Sequence, residues 1–385
     1  MHQTRIIWFV LVITIIITSC IKEFDPVIEA ADEKKYVITG SVSNADSAQT
    51  VNVSMTSPIE APEYLPVGGC SVSILDDNGN IFGLSETGNG NYSVVIDQMY
   101  LTTGTSFKLS VTTPDGEVIE SDYDMMTESP AVDSVYYIRE DHEGLIEGEF
   151  LKGIQFYVDL DGAETGTRYY RWEANETWEY HADYYREWYY DGEVHHIWPP
   201  DSSLKVCWRS RSIPRIFTLT TGNLVENKFK KLPLHFVDNL TTKLAYGYSL
   251  LIKQYALSEA AYTYWDQLRI NSEEQGGLYE TQPLAIQGNL TSVTNPDKEV
   301  LGFFGASAVT TKRIFVKNVP NLFLDFYTYC NPEVLLKGFI EIDPFDYPAF
   351  LLGDEYGYTM VVLNNSCVDC TILGGTTIKP EFWPN

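Results

Sequence analysis

Short stretches that alternate apolar and polar side chains, each cut off by a turn rich in Gly, Asp or Asn, recur from Tyr36 onward and confine the chain to β-structure. A period of two puts every second side chain on one face, the pattern of a strand buried on one side. Tyr36-Val37-Ile38-Thr39-Gly40-Ser41-Val42 reads this way, as do Thr50–Met55, Cys70–Leu75, Ile81–Leu84, Asn91–Ile96 and Ser106–Val111. Asp76-Asp77-Asn78-Gly79-Asn80 and Pro114-Asp115-Gly116 supply turns between them. The first of these lacks the alternating ligands and distal bidentate Glu of a calcium loop, so a hairpin turn accounts for it. Six or seven strands in about 90 residues predict a small antiparallel sandwich over 35–128.

Ser129-Pro130-Ala131-Val132 reads as a linker, and a larger β-rich domain is expected over 129–385. Strands are read at Ile154–Leu160 and from Tyr169 to Trp172, and again at Leu284–Ile286, Gly302–Ala306, Arg313–Val316 and Leu322–Tyr327. One helix interrupts them near 258–275. Ser258 is placed to cap it, Leu257 and Tyr262 to staple it, and Ala261, Trp265 and Leu268 recur on one face. Gly276-Gly277 ends it. The fold class is therefore mainly β: an N-terminal Ig-like sandwich, then a larger β-rich unit with one inserted helix and a Cys-rich irregular tail.

The N-terminus carries a different kind of signal. Arg5 is the only charged side chain before an apolar run, Ile6–Ile17, which is too short for a ~20-residue membrane-spanning helix. It reads as a signal peptide over 1–19. Ile17-Thr18-Ser19-Cys20 resembles the lipobox of bacterial lipoproteins, which implies that Cys20 becomes the acylated N-terminus. An acidic tether follows to residue 34. Its start, Ile21-Lys22-Glu23-Phe24-Asp25, is similar to the Bacteroidota lipoprotein export signal, with Lys22, Glu23 and Asp25 as its charges and cell-surface exposure as its implication.

Acid outweighs base, 53 Asp+Glu against 26 Lys+Arg, for a net charge of −27. A charge of that sign repels phosphate backbones, which excludes nucleic acid as a partner. Beyond Cys20 five cysteines remain. An exported chain keeps disulfides, and the odd count leaves one thiol over. Cys70, in step with Val72 and Ile74, is expected reduced and buried. Cys207, Cys330, Cys367 and Cys370 are expected to form two bridges, with three connectivities open. Zinc on those four thiols is the weaker alternative, because only Cys367 and Cys370 have ligand spacing.

No H-E-x-x-H, G-x-S-x-G or G-x-x-x-x-G-K-[ST] motif is present, so the chain is read as non-enzymatic, with no cofactor and no metal. His181, His195 and His196, with Asp183 and Glu193, lie near one another in sequence. Adjacent His195 and His196 point to opposite faces of a strand, and solvated histidines are the simpler reading. Eleven aromatics crowd 169–198. Tyr184–Tyr190 followed by Asp191-Gly192 predicts a hairpin. Trp178, Tyr180, Tyr184, Tyr185, Trp188 and Tyr190 exceed what one strand pair buries, and three readings stay open: core packing, a partner surface, or a platform for a glycan or peptide. Asp46-Ser47-Ala48 and Asp133-Ser134-Val135 match the short sequon of Bacteroidota O-glycosylation, making Ser47 and Ser134 candidates.

"VGGCSVSILDDNGNIFGLSETGNGNYSV" (Val67–Val94) resembles carboxypeptidase-regulatory-like modules of transthyretin type. "YALSEAAYTYWDQLRINSEEQGGLYETQP" (Tyr255–Pro283), "IQGNLTSVTNPDKEVLGFFGASAVTTKRIF" (Ile286–Phe315) and "CVDCTILGGTTIKPEFW" (Cys367–Trp383) resemble the family named domain of unknown function 4249 (DUF4249). Its members are Bacteroidota outer-membrane lipoproteins encoded beside TonB-dependent transporters. The resemblance implies a lipid-anchored accessory of an outer-membrane β-barrel, facing the cell exterior. A lipoprotein that itself captures a glycan or peptide is the alternative.

Overall fold

In a computed structural model of the protein, the described residues are 34–45, 48–58, 61–144, 148–190, 193–273, 286–328, 330–334, 350–353, 359–362 and 364–384. The leader, Cys20, Lys22, Glu23, Asp25, Ser47, the Asp191-Gly192 turn and Gly276-Gly277 lie outside them. Among the described residues no helix is long and apolar enough to cross a membrane.

The alternating segments form β1 (Tyr36–Ser43), β2 (Ala48–Met55), β3 (Leu65–Pro66), β4 (Ser71–Asp76), β5 (Ile81–Gly88), β6 (Asn91–Val95), β7 (Ser106–Thr112), β8 (Val118–Ser121) and β9 (Asp124–Met125). They do not close a domain by themselves. Two strands from the far end of the chain, β19 (Leu290–Ser292) and β20 (Val300–Ser307), complete an 11-stranded sheet in the order β19-β8-β7-β4-β5-β6-β2-β1-β20, with β3 on β2 and β9 on β7. The boundary expected after residue 128 is thereby corrected. β20 runs parallel to the whole of β1, from Tyr36↔Val300 to Ser43↔Ser307, and contributes Phe304 and Ala306 to the core of Ile38, Val53, Ile74, Phe107 and Leu109. Asn289 links the two ends of the strand order: its amide donates to the Phe304 carbonyl at 2.8 Å and accepts from the Phe304 N–H at 3.0 Å. Gly302 is required for the close approach, since a Cβ there would fall 1.9 Å from the Ile38 carbonyl oxygen. Cys70 is a free thiol, as expected, but it sits just before β4 and is half-buried against this core.

The second unit is a sandwich of two sheets. One carries β10 (Ser134–Glu143), β11 (Phe150–Asp161) and β17 (Lys228–Asp238) in that order. The other runs β15 (Val206–Ser212), β12 (Tyr169–His181), β18 (Gly247–Ala256), β21 (Val309–Val316), with β16 (Phe217–Thr220) also on β12. Ile154, Phe156 and Val158 of the first sheet meet Trp172, Ala174, Tyr248, Leu250 and Ile252 of the second. Pro130 of the linker is held rather than free, its carbonyl accepting from Gln254 Nε2 at 2.8 Å and Thr310 Oγ1 at 2.7 Å.

The helix α1 (Glu259–Glu273) starts where Ser258 Oγ accepts the Ala261 N–H at 3.1 Å. Its Ala261 and Tyr264 pack with Tyr255, Leu257, Phe303 and Val309, which joins the two sandwiches. Leu322–Tyr327 is not a strand. The segment runs irregularly with Leu322 and Leu324 packed on the second core, and the Asp325 N–H bonds to the Asn239 carbonyl at 2.9 Å. Of the expected strand Leu284–Ile286 only Ile286 is described, and it is irregular.

Two small sheets remain. β13 (Arg186–Tyr190) and β14 (Val194–Asp201) form the expected hairpin, and β22 (Glu333–Val334), β23 (Phe350–Gly353) and β24 (Thr359–Val362) form a three-stranded sheet. Ser134 opens β10 half-buried, its hydroxyl bonded to Asp159.

Candidate functional site

The aromatic segment divides at His181, where β12 ends. Along β12 the even-numbered side chains face inward without interruption from Tyr170 to Tyr180. Trp178 and Tyr180 are therefore core residues, 7% and 4% exposed, and leave the proposed surface. The Trp178 ring is flanked by Lys243 Nζ at 5.1 Å and the Arg209 guanidinium at 5.8 Å, and Tyr180 Oη donates to the Cys370 carbonyl at 2.6 Å.

Beyond His181 the chain leaves both sandwiches. Tyr190↔Val194, Tyr189↔His195 and Trp188↔His196 pair, and Arg186 faces Asp201 after a register shift. Tyr185 is 51% exposed beside Lys205 Nζ at 5.0 Å. The side chains of Trp188 and Tyr190 lie outside what the structure describes. Trp198, 76% exposed on β14, was not singled out by the sequence pattern. The signal was Trp198-Pro199-Pro200: an aromatic before two residues that cannot donate to a ladder belongs on an edge, not in a core strand.

Both roots of this hairpin are pinned. On the entering side the Tyr184 N–H bonds to the Cys367 carbonyl at 2.8 Å and Tyr184 Oη to the Cys330 carbonyl at 3.0 Å, so Tyr184 is an anchor rather than a surface residue. Cys330 and Cys367 are themselves joined in a disulfide. On the leaving side Cys207 of β15 is bridged to Cys370, and Trp208 exchanges backbone bonds with Thr376 at 2.8 and 2.9 Å. Lys205 ties the roots together by donating to the carbonyls of Ala182 and Asp183, and burial holds its amine below the usual lysine range. The two bridges consume the four thiols of the zinc alternative. Among the described residues, the grouping of three possible metal donors is Asp183 with Cys330 and Cys367, whose sulfurs are bonded to each other. The histidines are dispersed: His181 stacks on Tyr246 at 3.6 Å and pairs with Glu179 at 2.8 Å, while His196 pairs with Glu187 at 3.2 Å.

One buried carboxylate stands on the inner face of β12. Glu176 has no exposure. Arg211 and Lys243 reach its Oε1 at 2.7 and 2.8 Å, Tyr248 Oη donates to Oε2 at 3.0 Å, and His235 Nε2 lies 3.4 Å from Oε2. Burial opposes its ionisation, but the His235 and Lys243 partners outweigh that and hold the carboxyl down at about 2. With both oxygens taken by donors, it has no free lone pair for proton transfer at neutral pH. Its role is to join β12, β15, β17 and β18.

A family model described as "Domain of unknown function (DUF4249)" matches residues 21–313. The match takes in both sandwiches as far as β21 and stops short of Cys330, Cys367 and Cys370. No curated protein matches. Two solved structures of α2-macroglobulin from Escherichia coli, trypsin-activated and native, are similar at 11% and 10% identity with TM-scores of 0.20 and 0.19. They cover 59% and 60% of this chain, which spans only 15% and 14% of theirs. So slight a likeness bears on neither fold nor function.

Proposed function

The chain belongs to the family described as a domain of unknown function (DUF4249), and from that premise we propose a non-enzymatic lipoprotein of the outer-membrane surface, acylated at Cys20, whose aromatic hairpin docks a β-barrel transporter. The observation that carries the reading is the hairpin itself: a two-stranded sheet outside both cores, bearing exposed Tyr185 and Trp198 on roots fixed by two disulfides. Large flat side chains held in place lose little conformational entropy on binding and dominate interface energetics. The tether from Ile21 to Lys34 reaches at most on the order of 50 Å when extended, which limits how far the start of β1 can lie from a bilayer that holds the lipid.

The test is affinity purification of tagged full-length protein from detergent-solubilised outer membranes, comparing wild type with Tyr185→Ala/Trp198→Ala. Surface truncations of this kind change stability within about 0.5 kcal/mol, so the melt is expected to hold while recovery of an identified outer-membrane barrel falls at least tenfold. Trp178→Ala, by contrast, is expected to cost ~3–5 kcal/mol as a core cavity. A double variant that retains the barrel, or a wild type that brings none down, refutes the docking role.

A further inference from the structure

At the opposite end of β12 from the hairpin, ten residues or ~33 Å along the strand, α1 stands over the outer face of the first sandwich. Between them lies a cleft of about 510 Å³, within the 300–1,000 Å³ range of small-molecule sites. One wall is aromatic and apolar: Tyr264, Trp265 and Leu268 of α1, with Phe303 of β20 stacked on Tyr264 at 4.9 Å. The other wall is polar. On β1 and β2, Thr39 is paired directly opposite Asn52 and Ser41 opposite Thr50, so the outward side chains make a two-by-two array of hydroxyls and an amide. Arg171 and Glu173 line the cleft as well. The Arg171 guanidinium is sandwiched between the rings of Tyr255 at 4.3 Å and Trp265 at 4.2 Å, and its Nη1 bonds to Glu173 Oε1 at 2.8 Å. Tyr255 Oη donates to Glu173 Oε2 at 2.7 Å. Asp124, the other carboxylate on the lining, accepts the Ala306 N–H at 2.8 Å and is held by Ser258.

We infer that this cleft binds a neutral oligosaccharide. Asn52 Nδ2 already donates to Tyr64 Oη at 2.6 Å and Asn91 Oδ1 at 3.0 Å, but a purely apolar ligand would cover the hydroxyls of Thr39, Ser41 and Thr50 without offering them partners. A charged ligand meets carboxylates already paired within the protein and a guanidinium held by Glu173 at Nη1 and covered by Tyr255 and Trp265, its unpartnered Nε being buried. An extended peptide would need a free ladder edge: β1 lies between β20 and β2, β2 between β1 and β6, and on the outer edge of β20, which ends the order, Asn289 takes both backbone groups of Phe304 and Asp124 takes the Ala306 N–H. A pyranose presents an apolar C–H face and a rim of hydroxyls, which matches Trp265 on one side and the polar array on the other.

The experiment is titration of full-length protein, in a detergent without a sugar headgroup, with neutral linear malto-, cello-, manno- and xylo-oligosaccharides. A uronate oligomer and an alanine peptide serve as the charged and peptide probes, and tryptophan fluorescence and calorimetry as the readouts. At least one neutral series is expected to bind, and Trp265→Ala to weaken it tenfold or more. Because Trp265 also packs on Arg171, Ser41→Val/Thr50→Val is the second variant. It places β-branched, strand-compatible side chains at both exposed positions and removes two hydroxyls, and the same loss is expected with the melt unchanged. Binding of no neutral oligosaccharide, undiminished binding by the second variant, or preference for the uronate or the peptide overturns the assignment. Any of these leaves the hairpin reading intact, since that reading is tested on a different surface with a different readout.

Discussion

Glu176 shows what single side chains decide in this molecule, and why some of it is hidden in the sequence. The polar run Glu173-Ala174-Asn175-Glu176 suggests that the strand beginning at Tyr169 stops at Trp172. It continues because Glu176 is met inside by Lys243 and Arg211, cations 67 and 35 residues away that no local pattern announces. Once the strand is known to continue, parity alone buries Trp178 and Tyr180 with Trp172, so their fate was legible in the spacing and their reason was not. The folded carboxyl sits near 2 against an ordinary 4.5. A depressed folded value contributes stability that is complete above the unfolded pKa and is lost as pH falls through the folded one. The difference amounts to on the order of 3 kcal/mol, present above about pH 4.5 and gone near pH 2. Glu176→Gln leaves the Lys243 ammonium buried without its anion and is expected to cost ~3–5 kcal/mol at neutral pH. The variant's melting curves between pH 5 and pH 2 are expected to converge on wild type as the acid removes the same interaction; a constant gap across that range contradicts the assignment.

At the scale of elements, the hairpin was readable and its base was not. Seven residues rich in Tyr and Trp before an Asp-Gly pair specify a ribbon through turn chemistry alone. Cysteine spacing, however, leaves three pairings open, and only the fold brings Cys207 of β15 against Cys370 and Cys330 against Cys367. Each pairing fixes a different root. Removing Cys330–Cys367 by a double Ala substitution acts on the entering side, where Tyr184 hangs from both of those carbonyls. Removing Cys207–Cys370 acts on β15 and on the Trp208–Thr376 bridge. Losses of ~2–5 kcal/mol are expected, the larger for the 163-residue separation than for the 37-residue one, since a longer closure restricts the unfolded chain more. Hydrogen exchange on the two variants is expected to rise at 182–184 in the first and at 206–208 in the second. Uniform exchange across both roots, or no change in either, contradicts separate pinning.

The whole molecule is built by a return that local reading misses. Alternation marks β1, β2 and β4 to β7 one by one, yet the closure of their sandwich depends on 286–307, which arrives after α1 and after every strand of the second sandwich except β21. The cue was present in Val300-Leu301-Gly302-Phe303-Phe304-Gly305-Ala306, a nearly continuous apolar run of the kind that parallel, doubly covered strands carry. β20 is such a strand: Phe304 points into the sandwich core, Phe303 out against α1, and its partner on the ladder is β1, more than 250 residues earlier in the chain. The region 35–128 is thus a sandwich with its last pieces stored elsewhere. Expressed alone, 34–128 leaves β1 without its eight-residue parallel ladder and β8 without β19, and opens a cavity where Phe304, Ala306, Val300 and Leu290 were packed. A single Phe→Ala change in a core costs ~3–5 kcal/mol, and small domains hold only 5–15 kcal/mol in total, so losing Phe304 together with Leu290, Val300, Ala306 and two paired strands exceeds what the fragment has. The fragment is expected to give a collapsed amide NMR spectrum and no cooperative melt. Appending 286–308 through a flexible linker long enough to span its ends is expected to restore both, while the intact chain unfolds in one transition because α1 and β20 bind the two sandwiches together. A well-dispersed spectrum from 34–128 alone would show that the first sandwich closes without its distant strands, and that β20 is an addition to it and not a part of it.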